Sequence, residues 1–248
     1  MSIDPEITPY SHDAGSTGVL FCHGFTGSPA SMRPWARHFA ERGYTVRVPL
    51  LPGHGTFHYD MRNTTWQRWY AVERDAVREL QRTCDRIFVF GLSMGGTLTL
   101  RLAQEFGDAL SGIVLVNASV HTEDPRAPYA KWLQYVLPSI PAIGNDIKKP
   151  GRDERAYDRV PVKSVLQLQQ LWSVVRSDID RVTQPTLMFM SSEDHVVEPS
   201  NAAWLAEHIP AQDKSSIVLQ NSYHVATLDY DADLIFGKSL EFVQRLGG

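Results

Sequence analysis

A serine stands between two glycines at Gly91-Leu92-Ser93-Met94-Gly95, directly after the short apolar run Arg86–Phe90 (RIFVF). A third glycine, Gly96, follows. Thr97, Leu98, Leu100, Leu102 and Ala103 then open a helix-compatible apolar pattern. Strand, glycine-flanked serine, helix is the setting in which G-x-S-x-G makes a tight turn that holds a hydroxyl clear of a sheet. The positive end of the following helix lies beside it. Such a turn strains the serine's backbone and leaves no room for side chains two residues before and after. A hydroxyl presented this way suits attack on a carbonyl, provided a base takes its proton.

An imidazole is the natural base at neutral pH, and nine histidines compete for the role. His224 is best placed, in Asn221-Ser222-Tyr223-His224 just after the apolar run Ser216–Leu219. Loops at the C-terminal ends of strands are where sites form in open α/β sheets. His12, His54, His58 and His208 read as arm, loop or surface histidines, and His23 as a brace for its own loop. An acid must orient the imidazole. Glu193 and Asp194 follow the run Pro185–Ser191, and their position within Ser192–Val197 (SEDHVV) favours Asp194. His195 reads as a bystander next to it. Asp229 and Asp231 are fallback acids, too close in sequence to His224 for an easy turn. The order Ser93, Asp194, His224 is the order this architecture uses. A carbonyl under attack also needs two donors for its oxyanion. The N–H of Met94 is one, and the N–H of Phe25, in His23-Gly24-Phe25, is the other.

These residues must be carried by a repeating frame. Gly18–Cys22, Tyr44–Pro49, Arg86–Phe90 and Gly112–Asn117 read as buried strands, with helices between them. The first helix has Pro34 in its opening turn, Ser28 or Ser31 as cap and Gly43 as its end. The second runs from Trp66 to about Thr83 behind a Thr65 cap. Short strands that are apolar throughout imply a parallel sheet covered on both faces. Residues 1 to about 16 read as an irregular arm. From about Ser119 to Arg176 the rhythm breaks into a proline-rich stretch with an apolar cluster that includes Trp132, Tyr135, Val136, Ile140 and Ile143. It reads as short helices lying over the sheet. The rhythm resumes with Pro185–Ser191, a helix over Pro199–His208, the strand Ser216–Leu219 and a terminal helix over Ala232–Leu246.

The chain has 248 residues, 43% hydrophobic and 21% charged, with a net charge of −4. That is one large domain or two small ones, with no electrostatic case for nucleic acid or an anionic membrane surface. No run of 18 apolar residues suggests a membrane span, and the N-terminus lacks a signal-peptide core. Cys22 and Cys84 read as free thiols. A cytoplasmic enzyme is the expectation.

Five blocks extend the reading: HGFTGSP (23–29), LPGHGT (51–56), FGLSMGGTLTL (90–100), SSEDHVV (191–197) and NSYHVATLDYD (221–231). Together they resemble the α/β-hydrolase superfamily and, more closely, bacterial carboxylesterases and monoacylglycerol lipases. The resemblance covers nearly the whole chain and is weakest at 119–176. It implies a single α/β-hydrolase domain over 1–248, with a mostly parallel sheet, helices on both faces and a small helical cap at about 119–176. It implies Ser93 as nucleophile, Asp194 as acid and His224 as base, with Phe25 and Met94 supplying the oxyanion hole. Glu154, in Asp153–Tyr157 (DERAY), is a candidate to hold a glycerol head, and Ile143 a further substrate contact. The implied reaction is hydrolysis of an ester, above all a monoglyceride, through an acyl-enzyme and without metal or organic cofactor. A general carboxylesterase, an amidase, acyltransferase or lactonase on the same scaffold, and a non-catalytic binding protein are the alternatives. The apolar cap suggests a medium or long acyl chain and leaves room for transient contact with lipid interfaces. Nothing in the sequence sets the oligomeric state.

Overall fold

The apolar runs become strands of one seven-stranded sheet in the computed structural model, which describes residues 4–247. In chain order the elements are β1 (Tyr10–His12), β2 (Thr17–Cys22), α1 (Arg33–Ala40), β3 (Thr45–Val48), α2 (Trp66–Leu80), β4 (Arg86–Leu92), α3 (Met94–Phe106) and β5 (Gly112–Val116). An inserted segment holds α4 (Ala130–Leu133), β6 (Ser139–Pro141), β7 (Arg159–Pro161) and α5 (Val162–Ser177). β8 (Thr186–Ser191), α6 (Pro199–His208), β9 (Lys214–Leu219) and α7 (Ala232–Arg245) complete the chain. The strand order is β1-β3-β2-β4-β5-β8-β9, parallel throughout except for the antiparallel β1–β3 pair.

Alternation along each strand sorts the core into two layers. Leu20, Cys22, Ile87, Val89, Ile113 and Leu115 face α2, α3 and α5 on one side. Val19, Phe21, Phe88, Phe90, Val114 and Val116 face α1 and α7 on the other. There Trp35 stacks on Phe90 at 4.9 Å between ring centroids, and Phe21 meets Phe90 edge-on at 5.3 Å. With both faces covered, the central strands β2, β4, β5 and β8 have no polar side to show, hence their continuous apolar runs.

Three local expectations change. The arm is ordered over its described residues: Asp4 caps a 3-10 turn at Pro5–Ile7, and β1 extends the sheet edge beside β3. The buried Arg33 holds this stretch by donating to Pro5 O at 2.8 Å and Thr8 O at 2.6 Å. Residues 1–3 of the expected arm lie outside the described residues. Thr65 sits at the N-cap of α2 without a capping bond from its side chain, and the Trp66 N–H goes instead to Gln167 Oε1 of α5 at 3.2 Å. The inserted segment also contains a hairpin, pairing Ser139 with Pro161 and Pro141 with Arg159. Its strands are three residues each, too short to show alternation in a sequence. α5 is a sixteen-residue helix whose Leu168, Leu171 and Val175 join the core layer of α3.

Candidate active site

Ser93 occupies the turn between β4 and α3 with φ 57° and ψ −121°. A positive φ on a residue with a Cβ costs on the order of 1–3 kcal/mol and persists only where the surroundings enforce it. Here close packing does so. A Cβ on Gly91 would collide with the backbone of Gly95, one on Gly95 with the Cys22 carbonyl, and one on Gly96 with the Ala118 side chain. The serine N–H is fixed to Val116 O at 3.0 Å.

His224 lies in the loop after β9, and its Nδ1 donates to Asp194 Oδ2 at 2.9 Å. That bond leaves Nε2 free to accept a proton. The other Asp194 oxygen accepts the N–H groups of Val196 and Val197, both at 2.8 Å. Burial pushes the Asp194 carboxyl up, but His224 and these donors outweigh it and hold it below the usual carboxylate range. Burial likewise opposes a charged His224, yet Asp194, with Glu154 and Asp146 behind it, raises the imidazole above an ordinary histidine. Among the described residues no hydrogen bond joins Ser93 to His224, but both line one cavity of about 260 Å³.

The competing acids are engaged elsewhere. Glu193, half exposed, pairs with Lys148 Nζ at 3.2 Å. Asp229 is buried and accepts the N–H groups of Lys148, Lys149, Tyr223 and Tyr230. Asp231 accepts from the Asn221 backbone and the Ser222 hydroxyl. His23 braces two loops: its Nε2 accepts the Leu51 N–H at 3.2 Å, so its Nδ1 carries the hydrogen toward Gly24 O at 2.9 Å. Burial depresses its pKa to about 4, keeping the ring neutral. That brace shapes the turn leading to Phe25. Among the described residues no acceptor takes the N–H of Phe25 or Met94.

The cavity over Ser93 is mostly apolar, lined by Ile140, Val160, Val165, Leu168, Trp172 and Val197. Glu154 is the acidic side chain that the inserted segment contributes to this lining, beside the polar Ser119, His121 and Thr122. It is buried, its Oε1 accepts the Asn145 N–H at 2.9 Å, and it lines the cavity with His224. Burial raises its carboxyl above the ordinary value. Ile143 also lines the cavity but is 63% exposed, which sets it at the mouth. Among the described residues no cluster of histidine, cysteine and carboxylate groups could hold a metal ion.

The profile of the family described as serine aminopeptidase, S33, matches residues 16–231. The chain belongs to this family of α/β-hydrolases. A thermostable monoacylglycerol lipase from a Bacillus species is 45% identical over 97% of this chain and 95% of that protein. A carboxylesterase from Bacillus subtilis is 28% identical over 96% of each. A solved structure described under two metagenome-derived lipolytic enzymes, LipS and LipT, superposes with a TM-score of 0.95 at 40% identity, covering 98% of this chain and 100% of that one.

Within this family member the structure adds residues that motif reading missed. Asn117, at the end of β5 with φ 44°, donates to His224 O at 2.7 Å and accepts the Ser191 N–H at 2.8 Å. It locks the loops of His224 and Asp194 to the central sheet. An asparagine ending an apolar strand was the one available signal, since Asn tolerates positive φ. Glu198 accepts from Thr122 Oγ1 at 3.1 Å and the Glu123 N–H at 3.0 Å, pinning the start of the inserted segment to α6. No short motif announces it.

Proposed function

We propose that this hydrolase cleaves monoacylglycerols to glycerol and fatty acid through a Ser93–His224–Asp194 triad. The observation that carries the reading is the 2.9 Å His224–Asp194 bond, opening onto the apolar cavity that also contains Ser93. His224 takes the Ser93 proton as the hydroxyl attacks the ester carbonyl. The N–H groups of Phe25 and Met94 receive the oxyanion. His224 then protonates the leaving glycerol, and a water that it activates clears the acyl-enzyme. The N-terminus of α3 adds a favourable field at the oxyanion.

The acyl chain fits the apolar end of the cavity. A neighbouring groove of about 210 Å³ shares Ile140, Val165 and Trp172 with it, which supports a medium or long chain. Glu154, facing the same cavity, is the group to hold a glycerol hydroxyl, with Ile143 at the entrance. The inserted segment acts as the cap. Its exposed Trp132, Tyr135 and Val136 form an apolar patch suited to transient contact with a lipid interface. No helix among the described residues is long and apolar enough to cross a membrane. Free Cys22 and Cys84 fit a reducing compartment such as the cytoplasm.

The test is a chain-length series of monoacylglycerols beside p-nitrophenyl esters and matched amides, with Ser93 labelled by an organophosphonate. Turnover of medium- or long-chain monoglycerides is the expected result. Preference for acetyl esters with no monoglyceride turnover would remove the lipase assignment, and faster amide cleavage would replace it with an amidase.

A further inference from the structure

One carboxylate of the inserted segment touches the loops of both His224 and Asp194. Asp146 lies between β6 and β7 with its side chain 11% exposed. Its Oδ2 accepts the His224 N–H at 3.1 Å and the His195 N–H at 3.3 Å. Its Oδ1 lies 2.8 Å from His195 Nδ1, and its carbonyl accepts the Val225 N–H at 3.1 Å. A single residue therefore grips the backbone on both sides of the His224–Val225 bond and the residue next to Asp194. Asp146 is itself held in place. Asn145 and Glu154 exchange two hydrogen bonds at 2.9 and 2.8 Å, and Asp229 takes the N–H groups of Lys148 and Lys149.

We propose that Asp146 is a positioning residue of the reaction, fixing the approach of His224 to Ser93 by clamping both triad loops to the segment that roofs the site. The proposal rests on the serine-hydrolase reading above. The segment thereby couples to the chemistry through three backbone N–H groups, those of His195, His224 and Val225, and the His195 ring.

The clamp also carries charge. Asp194 from the loop after β8, and Glu154 and Asp146 from the inserted segment, all face His224. Asp146, Glu193 and Asp194 face His195, with Lys148 on Glu193 and the Tyr223 ring edge-on at 4.6 Å. Removing the Asp146 charge takes away one of the influences that raise His224.

The experiment begins with the full chain and an organophosphonate. Wild-type protein that is not labelled at Ser93 would overturn the hydrolase reading, whatever Asp146 does. Given labelling, Asp146→Asn, Asp146→Ala and His195→Ala are compared by kcat, KM, pH profile and melting temperature. Asp146→Asn keeps the shape and one acceptor. It is expected to lower kcat about 10-fold and Asp146→Ala about 100-fold, with KM changed less than about 2-fold, the pattern of a misplaced catalytic group. The acid limb of kcat/KM for Asp146→Asn moves to lower pH. His195→Ala, which frees only Oδ1 and the half-exposed ring, loses less than Asp146→Ala and covers the case in which that variant does not fold. A labelled Ser93 together with wild-type kcat and an unmoved acid limb in Asp146→Asn would overturn the proposal.

Discussion

Asp194 Oδ2 and His224 Nδ1 lie 2.9 Å apart, with side chains only 6% and 8% exposed. The remaining Asp194 oxygen is held by two backbone N–H groups, so the carboxylate cannot turn away from the ring. The order of loops around the sheet brings this about: β8 ends beside β9, and the loops that leave them meet above β5 and Asn117.

Replacing Asp194 with Asn is therefore expected to lower kcat on p-nitrophenyl esters by about 10⁴-fold, through loss of the tautomer that accepts the Ser93 proton. Glu193→Gln weakens solvent-facing pairs with Lys148 and the half-exposed His195 ring and should leave kcat within about 2-fold, since such pairs contribute little. The reverse ranking would transfer the role to Glu193.

The pH dependence follows from the raised His224. On the proposed mechanism the ring must be neutral to accept the Ser93 proton, so activity is expected to fall as pH drops through its folded-state pKa, with the acid limb of kcat/KM above that of an ordinary histidine. Glu154→Gln removes one of the charges raising it and should move the limb to lower pH. A limb that moves upward would contradict the electrostatics described for the site.

Glu73 of α2 is fully buried, and both carboxylate oxygens lack a hydrogen-bond partner, the Cys22 thiol alongside falling short of one. Burial raises its pKa to about 8. An acid raised on folding costs stability as pH climbs from its unfolded value toward the folded one, so the chain loses stability between about pH 4.5 and pH 8 through this group. Glu73→Gln should raise the melting temperature at pH 8 by roughly 2–4 °C for each kcal/mol recovered, and much less at pH 5. An equal gain at both pH values would argue against ionisation as the cause.

Val165 of α5 borders both the cavity over Ser93 and the neighbouring apolar groove. Val165→Trp should block passage between them. Turnover of long-chain monoglycerides is expected to fall about 10-fold or more relative to butyryl esters, the scale on which one pocket contact discriminates. An unchanged chain-length profile would place the acyl chain elsewhere.

The sheet was legible because buried parallel strands are apolar on both faces: Gly18–Cys22, Arg86–Phe90 and Gly112–Val116 announce themselves. The Ser93 turn was legible because its glycines are forced by contacts within a few residues or from the adjacent strand. The pairing of Asp194 with His224 could be expected from loop position and order, and the two side chains do meet at 2.9 Å. β1, by contrast, is three residues with mostly exposed sides, held by pairing with β3, which lies beyond β2 and α1 in the chain, and no local pattern marks it. The β6–β7 hairpin hid for the same reason. Asp146 and Asn117 were out of reach because their meaning lies in partners 78 and 107 residues away, and a sequence read alone carries no signal of such pairings.

The backbone of Ser93 has one more consequence. Its φ of 57° and ψ of −121° form a conformation that glycine adopts freely and serine does not. If Ser93 is the nucleophile proposed above, Ser93→Gly removes the attacking hydroxyl yet relaxes the turn, so the inactive variant should melt at a higher temperature than the active chain. At this position selection for turnover and selection for thermal endurance oppose each other. A heat-resistant member of the family must offset that local strain with packing gained elsewhere in the fold.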